Sequence, residues 1–220
     1  MTTYNWGMIG TGVIAHEMAD ALQAVNGKIY GVTAVNAEQT REFAEAKQIQ
    51  HVYPNAEAMI VDPQIDIIYI ATPHTFHHDY IKKALNARKH VFAEKAITVN
   101  AKQFDEVQAL AKSKGLILTE GLTLLHMPIY RKVQDLIASG KLGDINLVQV
   151  NFGSLKDYDP NNRFFNKDLA GGALLDIGGY ATAFARSFLN SQPNVELTTV
   201  KFFVTGVAEQ SGIILINPEQ

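Results

Sequence analysis

The sequence predicts an α/β protein: a parallel sheet with helices on both faces, followed by a smaller α+β part. Three observations carry this. A short apolar strand ending at Ile9 runs straight into Gly10-Thr11-Gly12-Val13-Ile14-Ala15 and then into an apolar helical pattern through Met18, Ala21 and Leu22. Strand-like and helical runs alternate up to residue 123, which is the signature of parallel βα units. After residue 123 the rhythm changes to helix, polar loop, helix and two strands.

Each element has its own reason. The runs 28–34, 65–71, 89–93 and 116–119 are short, apolar and bounded by turn residues, so they read as strands. Residues 37–47 and 75–87 read as helices, the second after the Thr72-Pro73 break. Residues 101–114 carry Phe104, Val107, Leu110 and Ala111 at helical spacing, and Gly115 stops them. In the second part, 127–139 shows Ile129, Val133, Leu136 and Ile137 on one face, with Gly140 after it. The alternation over 145–152 predicts a strand, and 171–189 a helix weakened by Gly178 and Gly179. The runs 195–205 and 211–216 predict an antiparallel pair turning around Gly206. A sheet this thin leaves apolar surface open, so either another chain covers it or the polypeptide is shorter than the fold it encodes.

Composition narrows the possible functions. The chain has 220 residues, 47% of them apolar, and a net charge of −3. No basic field invites nucleic acid or a membrane surface. There is no cysteine, which excludes disulfides, thiolate catalysis and cysteine-ligated zinc. Met1 to Asn5 lacks a basic leader region, and no segment is long and apolar enough to span a bilayer, so the cytoplasm is the expected compartment.

The Gly-x-Gly-x-x-Ala run between strand and helix fits a dinucleotide. Gly10 permits the tight turn, Gly12 admits a pyrophosphate close to the backbone, and Ala15 lets helix and strand pack closely. The helix N-terminus presents free N–H groups to the phosphates. Thr72-Pro73-His74 and Glu94-Lys95 follow other strands and so reach the same crevice at the C-terminal edge of the sheet. Lys95 reads either as a lysine polarising a carbonyl or as half of a solvated charge pair. Asp176 and Tyr180 stand four apart on a helical pattern. Tyr180 reads either as a general acid or as a core anchor. His74, His77 and His78 invite a metal reading, with His74 and His78 at the same spacing, but the one carboxylate beside them, Asp79, faces elsewhere by periodicity, so no metal is expected. A histidine near the crevice is expected instead, at position 78. His126 reads as a substrate contact or a surface residue.

Together these pieces resemble the glucose–fructose oxidoreductase/inositol dehydrogenase (Gfo/Idh/MocA) family. The resemblance rests on 10–15, on Ile70-Ala71-Thr72-Pro73-His74 with His78, on Lys89-His90-Val91-Phe92-Ala93-Glu94-Lys95, on 137–143 and on 171–180. Tyrosine at position 180 resembles the trans-dihydrodiol and D-xylose dehydrogenase branch. The resemblance implies a Rossmann dinucleotide-binding domain over 1–123 and a partial α+β substrate and oligomerisation domain over 124–220. It implies an NAD(P)-dependent oxidoreductase acting on a sugar, polyol or diol and assembling as a homo-oligomer through the C-terminal sheet. Lys95 and Tyr180 would be catalytic and Asp176 would bind substrate. Gly10, Thr11, Gly12, Val13, Ile14, Asn36, Arg41, Thr72, Pro73, His74, His78, Glu94 and Lys95 would hold the cofactor.

The chain departs from the family pattern in four places. Ala96 stands where the family has proline, often after a cis bond. Thr33-Ala34-Val35-Asn36 stands where many members have Ser-Arg for the NADP 2′-phosphate, and no acidic residue ends that strand for NAD; Arg41 is the nearest phosphate ligand, so NADP is favoured over NAD. Residues 124–128 lack the arginine of the diol branch. Family members also continue for about another hundred residues, a normal domain size. Two competing expectations share the fold: a non-catalytic NAD(P)-binding sensor or regulator, and an inactive fragment of such an enzyme.

Overall fold

The computed structural model describes residues 4–218, and the chain divides between Gly121 and Leu122 into two compact units. Met1 to Thr3, part of the segment read above for a leader, lies outside the described residues.

The first unit runs β1 (Asn5–Ile9), α1 (Val13–Ala24), β2 (Lys28–Thr33), α2 (Ala37–Ala46), β3 (His51–Val52), α3 (Ala56–Ile60), β4 (Ile67–Ile70), α4 (His77–Asn86), β5 (His90–Ala93), α5 (Ala101–Lys114) and β6 (Leu118–Glu120). Six strands pair in the order β3-β2-β1-β4-β5-β6, every neighbour parallel. Successive side chains of a strand point to opposite faces, and here both faces are covered. Ile9, Ile68 and Ile70 join α3, α4 and α5 in one core, through Met59, Ile81, Leu85 and Val107. Met8, Tyr69 and Val32 join α1 and α2 in the other, through Ala15, Ala19 and Phe43. Asn36, Asn55 and Asn100 each cap a helix with the side-chain oxygen.

Register aligns the C-terminal strand ends. Ile9 pairs with Thr33 and with Ile70, Ile70 with Ala93, and Ala93 with Glu120. The next residue of each strand is then fixed by its neighbour: Gly10 N–H donates to Thr33 O (2.9 Å), Ala71 N–H to Ile9 O (2.8 Å), Glu94 N–H to Ile70 O (2.9 Å) and Gly121 N–H to Ala93 O (2.7 Å). All these loops therefore leave from one edge. The order reverses between β1 and β4, where a crevice opens in such sheets.

The second unit holds α6 (Pro128–Ala138), a π-helical turn (Leu174–Gly178) running into α7 (Gly179–Arg186), and the antiparallel pair β7 (Val195–Phe202) and β8 (Ala208–Ile216). Tyr130 of α6 packs on Phe184 and Phe188, with ring centroids 6.4 and 6.0 Å away. Tyr158, Phe165 and Phe203 make a second aromatic group.

Two expectations need correction, and two short elements were missed. Residues 145–152 form no strand, and Leu147 is 83% exposed. Among the described residues β7 and β8 pair only with each other, so the alternation has a face but no partner backbone. The helix expected over 171–189 starts at Leu174, with a wider π-helical turn before its α-helical part. β3 and α3 were not expected, being two and five residues long, below what periodicity resolves.

Lys89 shows how the opposite edge of the sheet is closed. It is 8% exposed, and its ammonium donates to Asp62 O and Ile65 O, both at 2.7 Å. Burial pulls its pKa below the usual lysine range, while Asp62 and Asp66 oppose the shift. Lys89→Met takes the ammonium from Ile65 O and leaves Asp62 O with the Ile65 N–H at 3.2 Å, and is expected to lower stability by about 2 kcal/mol in urea unfolding.

Candidate functional site

The site begins at Gly10. Its φ is +110°, and a Cβ there would lie 2.4 Å from Ala71 O, so side chains are excluded by the chain itself. Gly12 differs: a Cβ there would meet nothing within 4 Å. Gly12 sits at the N-cap of α1, where no side chain caps the helix and no acidic residue occupies the first turn. Thr11 is half-buried and Val13 and Ile14 are exposed beside it. An open approach to an uncapped helix N-terminus fits an anion.

Glu94 and Lys95 follow β5 on the same edge. Tyr69 Oη donates to Glu94 Oε1 at 2.7 Å, from the fully buried Tyr69. Burial holds the Glu94 carboxyl above the usual range, opposed by the Tyr69 bond. Burial and then the Glu94 charge push the Tyr69 phenol up. The Lys95–Ala96 peptide bond is cis.

Three side chains hold the backbone that follows. His74 Nε2 lies 3.0 Å from Lys95 O, and His77 Nδ1 lies 2.9 Å from Ala96 O. Ile97 N–H donates to Glu120 Oε1 at 2.9 Å. The second nitrogen of His77, Nε2, lies 2.8 Å from Thr72 O. His77 is fully buried, and desolvation lowers its pKa from 6.5 to about 4, with the backbone contacts opposing. Thr72, Pro73 and His74 are thus linked through the two imidazoles to the Lys95 segment.

Other expected residues stand elsewhere. His78 faces α5: its Nε2 is 2.9 Å from Glu106 Oε2, and Lys82 pairs with the same carboxylate. The buried histidine of this helix is His77, which the expectation for position 78 missed. The signal was present, because 77, 81, 84 and 85 form one buried stripe. Asn36 spends its side-chain oxygen on the N–H groups of Glu38 and Gln39. Arg41 lies on the exposed side of α2, while Thr40, Phe43 and Ala44 face the sheet. His126 is exposed in a 3₁₀ turn. Glu120 and Arg163 were not singled out from sequence.

In the second unit, Asp176 lies in the π-helical turn and Tyr180 at the start of α7. Arg163 Nη1 is 3.8 Å from Asp176 Oδ1, and the arginine lies over the Phe164 ring at 4.1 Å. Tyr180 packs edge-on against Phe152, with centroids 5.7 Å apart. A groove of about 970 Å³ runs beside this turn, lined by residues of 146–154, α7, β7 and β8. Among the described residues no helix is long and apolar enough to cross a membrane.

Residues 4–122 match the oxidoreductase family with an NAD-binding Rossmann fold, and residues 130–215 match the GFO/IDH/MocA C-terminal domain. The trans-1,2-dihydrobenzene-1,2-diol dehydrogenase of Xenopus laevis is 32% identical over 214 residues, covering 96% of this chain and 64% of the relative. The human protein of the same name is 31% identical over 217 residues, covering 97% and 64%. The chain therefore spans under two thirds of the length of these curated relatives. A 3-ketoreductase from Actinomadura kijaniata, solved with NADP and TDP-benzene, superposes with a TM-score of 0.87 at 26% identity over 99% of this chain and 67% of that one. A protein of gentamicin A biosynthesis, solved with NAD, shares the fold with a TM-score of 0.84 at 18% identity, over 98% and 62%.

The buried His77 makes stability depend on acid. Its folded pKa lies below the unfolded value, so the unfolded chain binds the proton first. The contribution is complete above pH 6.5 and declines as pH falls toward about 4. The full decline is on the order of 3 kcal/mol. Urea unfolding of wild type and His77→Asn at pH 7.5 and pH 4.5 is expected to show the smaller acid loss in the variant.

Proposed function

The chain belongs to the Gfo/Idh/MocA oxidoreductase family, and from that premise we propose that it is an NAD(P)-dependent oxidoreductase. It moves a hydride between nicotinamide and a secondary carbinol or its carbonyl on a sugar, polyol or diol. The observation that carries this reading is the pairing of an open, uncapped helix N-terminus at Gly12 with a lysine whose backbone is pinned at the same sheet edge.

The residues present fit a dinucleotide. The free space over Gly12 is where a pyrophosphate would lie, held by the first N–H groups of α1 through Thr11, Gly12, Val13 and Ile14. The loops with Thr72, Pro73, His74, Glu94 and Lys95 would line the nicotinamide half. The bound cofactor supplies the hydride acceptor or donor. No carboxylate ends β2 to take a ribose hydroxyl, and Arg41 is the available cation, which favours NADP over NAD. His78 is engaged with Glu106, and a cofactor role for it requires that pair to open.

The chain's own residues divide the remaining work. The Lys95 ammonium stabilises negative charge on the reacting oxygen. The Tyr180 hydroxyl gives or takes the proton at that oxygen, and Asp176 orients the substrate hydroxyls. Residues 1–123 serve the cofactor and 124–220 serve substrate and self-association, the latter through the β7–β8 face, where Leu197 and Ile214 are exposed. Dihydrodiols and 3-keto compounds, after the dihydrodiol dehydrogenases and the 3-ketoreductase among the relatives, are the first substrates to try.

Titration with NADPH and NADH by fluorescence, followed by a sugar and diol panel, tests the reading. Gly12→Val is expected to weaken cofactor binding at least tenfold and leave the melting temperature unchanged, since its side chain enters open space. Lys95→Met and Tyr180→Phe are expected to lower kcat by about 10²–10⁴ with cofactor affinity retained. Binding without turnover on any substrate favours a sensor. Absence of binding to both cofactors overturns the proposal.

A further inference from the structure

We infer that His77 is the positioning residue of the lysine segment, a buried imidazole that ties the β4–α4 loop to the β5–α5 loop and so sets where Lys95 stands. The inference rests on Lys95 being the reacting lysine proposed above.

Residues 95–97 run between a strand and a helix and have no ladder of their own. Their successive backbone groups are held by side chains from three places: Lys95 O by His74, Ala96 O by His77, and Ile97 N–H by Glu120 at the end of β6. His77 has contacts on both sides. One ring nitrogen meets Ala96 O at 2.9 Å and the other meets Thr72 O at 2.8 Å, from a fully buried ring. Thr72 precedes the turn that delivers His74, so one ring fixes the spacing of both loops.

The residue type also argues for this role. The rest of the buried stripe of α4 is Ile81, Ala84 and Leu85, and packing alone would be met by a leucine at its head. A polar ring in that place costs desolvation, and its two polar ends aim at the two loops. Both facing groups are carbonyls, which only accept. A neutral imidazole has one N–H to give, so the ring donates to one of the two carbonyls at a time, the tautomer deciding which loop it bonds.

The test uses the whole chain with His77→Leu, which removes both contacts, and His77→Asn, whose amide nitrogen reaches the place of Nδ1. In His77→Leu, hydrogen exchange at the Ile97 amide is expected to quicken at least tenfold, with exchange in β1 and α1 unchanged. NAD(P)H affinity stays within threefold and KM within threefold, while kcat falls at least tenfold. His77→Asn is expected to restore the protection of Ile97 and at least a third of kcat. Unchanged exchange at Ile97 in His77→Leu overturns the inference. So does a loss of kcat matched by equal losses of cofactor affinity and melting temperature, which is what a merely structural residue would give. If His77→Leu does not fold, the same readings on His77→Asn and His77→Gln decide: equal protection of Ile97 in both overturns the inference, because only the first reaches Ala96. A wild-type chain that turns over nothing removes the proposed activity and leaves the exchange comparison as the test of His77.

Discussion

Gly10 lies so close to Ala71 O that a single added carbon would stand 2.4 Å from it. That closeness is imposed by the β1–β4 pairing, in which Ile9 and Ile70 are in register and Ala71 N–H returns to Ile9 O. The rest of the first unit depends on it. β1 and β4 are the central strands, and from their ends the chain departs to opposite faces, α1 onto one core and α4 onto the other. In such sheets a crevice opens where two adjacent strands send the chain to opposite faces. The register is then passed outward, through Glu94 to β5 and through Gly121 to β6, so each loop inherits its position from its neighbour.

The sheet carries polar exceptions at both edges, and they are satisfied differently. At the N-terminal edge Lys89 donates to two backbone carbonyls. At the C-terminal edge Tyr69 and Glu94 face each other across the β4–β5 boundary, with the phenol donating. Burying either group alone would cost on the order of a few kcal/mol. Each is tolerated because its partner comes from an adjacent segment whose position the same sheet fixes.

Much of this fold was legible from residue order. α5 falls on residues 101–114 as its periodicity indicates, with Gly115 after it, because cap, stripe and stop agree. The four longer inner runs are strands within two or three residues, since apolar runs between turn residues have few alternatives in a βα rhythm. β3 and α3 are too short to show a period. The failure at 145–152 is of another kind: alternation tells which side chains share a face, and pairing depends on a backbone supplied from elsewhere in the chain. At the candidate site, the edge on which Glu94 and Lys95 emerge follows from topology. What holds them does not. The partners of 95–97 lie 19 to 23 residues away in sequence, and no local pattern announces such contacts. His77 is the exception, since its place at the head of the α4 stripe was readable.

Lys89 has a consequence for handling the protein. Acylating reagents attack neutral amines that solvent can reach, and this amine is enclosed with both neighbouring carbonyls shut over it. Exposed lysines of the chain label freely, whereas Lys89 labels only when the segment between α3 and β4 lifts away from the sheet. Its slow modification, followed by mass spectrometry, therefore reports the opening of the first unit from within, with no probe added to a chain that has no cysteine to carry one.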